Sequence, residues 1–158
     1  MSRDEMDFYR DLIKGRIDEV IFEQMFREED EFTILRLGYE YTSPELAQYR
    51  DRLEVRQVLD NIKNTPDFAL ISHNKKRLFI VEVKYRSRLE KPKLKRIAAA
   101  TLKFADPSWL FVATPDGFFF DACNNVFNHS GEIRRLQTTW IPQNVQDKYI
   151  KLLNEFRL

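Results

Sequence analysis

Apolar residues recur at helical spacing near the start of the chain. Tyr9, Leu12, Ile13, Ile17, Val20 and Ile21 predict one long amphipathic helix over residues 4–29, with little in the segment to stop it. On that helix Glu19 and Glu23 fall beside Leu12 on the flank of the apolar face, with Arg16 one turn earlier on the same line. Acids there need a reason. Either they pair along the solvated edge, where helix ion pairs are worth only about 0.3–0.5 kcal/mol, or one of them points across the core. Gly15 favours the second, because glycine inside a helix costs about 1 kcal/mol relative to alanine and lets another backbone pass close by. Residues 32–40, FTILRLGYE, are rich in β-branched and aromatic types and predict a first strand.

Residues 41–64 differ in character. Ser43-Pro44-Glu45 reads as a helix start, and Leu46, Tyr49, Leu53, Val58, Leu59 and Ile62 give a broken helical period, so one or two short helices are expected there. At residues 65–87 the period switches to two. Two apolar strands are joined by a polar turn around His73 to Arg77; Pro66-Asp67 opens the first and Glu82-Val83-Lys84 closes the second. Alternation sets Ile80, Glu82 and Lys84 on one face and Phe79, Val81 and Val83 on the other. Loop parity then decides the chemistry. An even loop, such as Asn74-Lys75, places Asp67 opposite Glu82 on the face of Glu82 and Lys84, whereas an odd loop turns it away.

A helix starting at Pro92 follows, with Leu94, Ile97, Ala98, Thr101, Leu102 and Ala105 as its inner stripe. Residues 109–114, WLFVAT, are nearly all apolar, as in a strand covered on both faces. Pro115-Asp116-Gly117 is a turn, and residues 118–122 return as a strand. This second Pro-Asp pair has no acid-x-Lys triplet after it and is assigned no chemistry. Residues 124–131 read as loop, Trp140-Ile141-Pro142 as an extended segment, and residues 144–156 as a closing helix facing inward through Val145, Tyr149, Leu152, Leu153 and Phe156. The order predicts an α/β (α+β) fold with a mixed sheet.

With 158 residues, 43% of them hydrophobic, the chain is expected to form a single domain over 1–158 with a helical insertion at about 41–64. The net charge of +1 gives no global pull on nucleic acid, but acids crowd the first third and bases crowd residues 75–103. The one cysteine, Cys123, excludes an internal disulfide and belongs to no spaced Cys/His set. Residues 1–7 are charged where a signal peptide needs an apolar core, and no apolar run reaches membrane-spanning length. A cytoplasmic protein without membrane contact is expected, with the Asn128-His129-Ser130 sequon idle.

Cleaving a phosphodiester requires offsetting charge on the phosphoryl oxygens, generating an attacking hydroxide near neutral pH and stabilising the leaving oxygen. Mg²⁺, or Mn²⁺ in its place, does all three and is held by oxygen ligands. Asp67 and Glu82 are adequate ligands, and the Val83 carbonyl could supply a third oxygen. Lys84 would orient the attacking water or the scissile phosphate, and Glu19 or Glu23 would add a further carboxylate. Arg86, Arg88, Lys93, Arg96 and Lys103 lie just beyond the triplet and suit phosphate contacts. The plain alternatives are a cross-strand ion pair for Asp67, Glu82 and Lys84 and a solvated basic helix for the rest.

Pro66-Asp67 followed by Glu82-Val83-Lys84 resembles the PD-(D/E)XK nuclease superfamily, the restriction-endonuclease-like and Holliday-junction-resolvase-like fold. An acid-bearing helix before the first strand and a helix after the lysine strand extend the likeness over most of the chain. It implies a central mixed sheet flanked by helices, Mg²⁺-dependent hydrolysis of nucleic acid, DNA foremost, and Asp67, Glu82 and Lys84 as the site. Residues 41–64 carry no motif of that superfamily, and an appended DNA-recognition domain is not expected. The rival expectation is a non-catalytic nucleic-acid-binding or protein-interaction module that keeps the fold. A homodimer through exposed aromatics is compatible with either.

Overall fold

The computed structural model describes residues 3–37, 65–74 and 76–157, with side chains in the first helix at Ile13 and from Arg16 onward. The helical insertion expected at 41–64 lies outside the described residues. The elements are α1 (Arg3–Glu28), β1 (Phe32–Arg36), β2 (Phe68–Ser72), β3 (Leu78–Tyr85), α2 (Lys91–Phe104), β4 (Trp109–Thr114), β5 (Gly117–Ala122), α3 (Cys123–Asn128) and α4 (Gln143–Phe156). The strands form one five-stranded sheet in the order β1-β2-β3-β4-β5. Only β3 and β4, joined across α2, are parallel; the other neighbours are antiparallel. This is an α+β architecture whose mixed sheet is flanked by helices.

Strand alternation divides the interior in two. The larger core gathers Phe68, Leu70, Val81, Val83, Phe111 and Phe118 against Phe22, Met25 and Phe26 of α1 and Leu153 of α4. The smaller one sets Leu110 and Val112 against Leu94 and Ala98 of α2 and Cys123 and Val126 of α3. The hairpin register is Phe68↔Val81, Ala69↔Ile80, Leu70↔Phe79 and Ile71↔Leu78, continued by the Ser72 N–H to the Arg77 carbonyl at 2.9 Å. The loop parity is therefore even, and one step further Asp67 stands opposite Glu82.

Four local expectations are corrected. The buried face of α1 keeps only part of the aliphatic stripe: Ile21 is buried and Ile17 packs against the core, but Ile13 and Val20 are 60% and 44% exposed, while Phe22, Met25 and Phe26 are fully buried. Val20 lies roughly 200° around the helix from Phe22, and the face bearing two Phe rings and Met25 took the core. Residues 124–131 are not all loop, because Cys123 and Val126, one turn apart, anchor the short α3 in the smaller core. Trp140-Ile141-Pro142 is not extended: the Trp140 and Ile141 N–H groups both donate to the Gln137 carbonyl, making a turn that leads into α4. Phe156 is 63% exposed and takes no part in the inner face of α4, where Gln146 is buried instead, donating to the Leu136 and Ile141 carbonyls.

Candidate functional site

The site is a consequence of where β2 begins. Leu37 N–H donates to the Asp67 carbonyl at 2.8 Å on the β1 side, and on the β3 side the Asp67 carboxylate accepts the Val83 N–H at 2.8 Å. A side-chain oxygen thus takes the place of the backbone acceptor at the position where the ladder stops. An extended residue projects its N–H and C=O to the same side. The Val83 carbonyl therefore also faces the Asp67 side of β3, just past the last ladder pair. Glu82 and Lys84 share one face of β3, with the Lys84 Nζ 3.9 Å from Glu82 Oε1 and both side chains only partly exposed.

The register carries this row across the sheet. Glu82 pairs with Leu110, and Leu110 with Asp121. Asp67, Glu82, Leu110 and Asp121 lie in line on one face, with neighbouring strands about 4.8 Å apart. Asp121 was not anticipated from the sequence, although an acid inside the apolar run FFFDA on an inward-facing position is the signal that marks it. It is buried, and its carboxylate accepts from Ala122 N–H, Asn125 Nδ2 and both the backbone and guanidinium of Arg134. Those contacts tie β5 to α3 and to the segment after it.

The two candidate acids on α1 are both buried, on the Val83 side of the sheet rather than the Glu82 side. Glu23 is committed: Arg27 and Arg36 both donate to it, Arg27 at 2.8 Å. Burial pushes its carboxyl up, but the hydrogen bonds from Arg36 and Arg27 outweigh that and hold it below the usual range. Glu19 does not complete a three-carboxylate group with Asp67 and Glu82; among the described residues no cluster of three His, Cys, Asp or Glu side chains is close enough to hold an ion. The remaining donor set is oxygen only: two carboxylates and the Val83 carbonyl. That fits a hard divalent cation such as Mg²⁺, which takes one or two carboxylates and keeps several waters. It does not fit a thiolate metal, and Cys123 is a buried thiol pushed up to about 11 mainly by burial.

A third buried acid of α1 precedes Glu19. Asp18 is gripped by Arg157 at the end of α4, with Nε–Oδ1 at 3.1 Å and Nη2–Oδ2 at 2.5 Å. The same guanidinium lies 3.2 Å from the ring centroid of Tyr85, the residue after Lys84. Burial raises the Asp18 carboxyl to about 6, against the opposing pull of Arg157 and Arg86.

The basic residues are distributed unevenly. Lys93, Arg96 and Lys103 point outward from α2, opposite its buried Leu94, Ala98 and Thr101. Arg86 is half-buried and donates to the Tyr85 carbonyl at 2.7 Å. Arg88 and Lys93 share Glu90, at 3.8 Å and 3.0 Å. Among the described residues no helix is long and apolar enough to cross a membrane.

No protein-family model and no curated protein matches the chain in sequence. Among solved structures, the chain is similar to the 1.6 Å structure of Hjc, a Holliday junction resolvase from the archaeal hyperthermophile Archaeoglobus fulgidus. The likeness has a TM-score of 0.39 and 13% identity, and it covers 85% of this chain and 98% of that one.

Proposed function

We propose that the chain is a divalent-metal-dependent nuclease that hydrolyses phosphodiester bonds, with DNA as the favoured substrate. The observation that carries this reading is the end of β2: Asp67 stands opposite Glu82, its carboxylate fixed on the Val83 N–H, with Lys84 on the Glu82 face. Asp67, Glu82 and the Val83 carbonyl would hold Mg²⁺ or Mn²⁺. When bound, such an ion supplies charge neutralisation and a water acidic enough to attack near neutral pH. Lys84 would orient the attacking water or a non-bridging oxygen and offset developing negative charge. Glu23 is held by two arginines, and among the described residues neither α1 acid closes a three-carboxylate group with Asp67 and Glu82, so no role at the ion is assigned to them. Lys93, Arg96 and Lys103 on the outer face of α2, with Arg86 and Arg88 before it, would contact phosphates.

The test is cleavage of linear, nicked and branched DNA by the purified protein with Mg²⁺ or Mn²⁺. Cleavage is expected, with about a 100- to 1,000-fold loss in Asp67→Ala and in Lys84→Ala. Absence of cleavage on every substrate, or full activity in Lys84→Ala, would overturn the assignment.

A further inference from the structure

At the other end of β3, between the hairpin turn and the turn before α4, is a cleft of about 310 Å³ walled by Phe32, Phe79, Trp109 and Trp140 and rimmed by Arg77 and Asn74, with the acid Glu31 beside Phe32. From Phe79 to Lys84 is about 17 Å along the strand, and the two residues point to opposite faces, so this cleft is separate from the carboxylate row.

The walls are well ordered against each other. Phe32 stacks on Trp140 at 5.9 Å and 20°, while Trp109 and Phe79 meet Trp140 edge-on at 5.7 and 5.4 Å. Yet Phe32, Trp109 and Trp140 are only half-buried, unlike the rings of the core proper, and neither indole N–H donates to a described residue. The rim is polar. Arg77 lies over Phe79 at 5.2 Å from the ring centroid, and its chain turn is fixed by its N–H on Ser72 Oγ at 3.1 Å. A purely apolar ligand would strip water from the guanidinium and the Asn74 amide without replacing it. A flat heteroaromatic ring carrying an anionic tail satisfies both parts: the ring against the indole and phenyl walls, its edge on the amide, the tail on Arg77.

We infer that this cleft is a nucleobase-stacking site that takes one base together with its phosphate, either of a free nucleotide or within a single strand. The inference is independent of the hydrolytic reading, and the chain's own fluorescence reads it out, since its two tryptophans both line the cleft.

The experiment follows tryptophan emission of the Lys84→Ala protein in EDTA, which removes both cleavage and metal, on titration with deoxyadenosine monophosphate, with a deoxyadenylate hexamer and with an abasic hexamer of equal charge. A saturable change is expected. Saturation by the monophosphate identifies a free-nucleotide site, and saturation by the hexamer alone a site for a base within a strand; both uphold base stacking. Trp140→Leu should weaken binding about five- to a hundredfold. Arg77→Ala, an exposed substitution that spares folding, should weaken it about two- to fivefold. No emission change with either adenine probe, an equal change with the abasic hexamer, or unaltered affinity in Arg77→Ala would overturn the inference.

Discussion

Asp18 brings a carboxylate into the seam between α1 and α4, and the position of its proton couples folding to pH. Its folded value is raised to about 6 from an ordinary 3.8, because burial outweighs the help of Arg157 and Arg86. The folded state therefore binds more protons than the unfolded chain in this window. Its contribution is fully present below about pH 4 and is lost as pH rises through about 6. Arg157 supplies the hydrogen bonds and nearby charge that keep the loss tolerable. Arg157→Met should destabilise the protein by about 3–5 kcal/mol at pH 8, where it leaves a buried charge uncompensated. The deficit should be clearly smaller at pH 5, where Asp18 takes up its proton. Urea unfolding at both values measures this, and a deficit that is the same at pH 5 and pH 8 would contradict the account. The pair also joins Asp18, next to Glu19, to Tyr85, next to Lys84, so the variant reports on how firmly the α1 acids are held relative to β3.

At the scale of elements, α2 is placed by a glycine. Gly131 has φ +94, in the left-handed region, and a Cβ there would run into the Lys91 backbone carbonyl at the first residue of α2. Gly131→Ala should cost about 1–3 kcal/mol from the backbone conformation alone, and more from pushing the start of the basic helix away from α3. Thermal unfolding of the variant checks this; a melting temperature equal to that of the parent would show that α2 is placed by something else. Nothing in the sequence around Gly131 distinguishes this close approach from an ordinary loop glycine, since it depends on Lys91, far away in the chain. The hairpin is the opposite case. Its period of two and its polar turn are local properties, so residues 65–87 alone reduced the placement of Asp67 to the parity of one loop, which the register then fixes as even. The face of α1 was legible only in part. Ile13, Val20 and Phe22 are all apolar, and which of them is buried depends on Phe68 and Phe111 of the sheet, whose rings meet Phe22 at 4.9 Å each. Cys123 and Val126 gave too short a signal to separate a helix of six residues from a loop. Asp121 could have been found, as a lone acid on the inward side of an apolar strand.

Over the whole molecule the charges nearly cancel, 26 bases against 25 acids, so attraction to a polyanion depends on where the pairs leave the bases free. The two ends of the basic stretch differ in this respect. Lys103 lies in the last turn of α2, while Arg88 and Lys93 near its start are both drawn to Glu90. The Glu90 carboxyl is held below its usual range by the Lys93 hydrogen bond and charge, so it stays ionised at any pH at which the protein would bind DNA. A phosphate approaching the start of α2 must compete with that carboxylate. Glu90→Gln removes the competitor and one negative charge without touching Asp67, Glu82 or Lys84. It should tighten binding of a non-cleavable DNA duplex about two- to fivefold at low salt. The dependence of log affinity on log salt should also steepen, because each phosphate newly neutralised releases about 0.9 counterion. Binding isotherms at several salt concentrations give both quantities, and the gain should shrink as salt rises toward 0.5 M. If Glu90→Gln left affinity and slope unchanged, Arg88 and Lys93 would lie outside the proposed nucleic-acid interface, and that proposal would be confined to Arg96, Lys103 and the far half of α2.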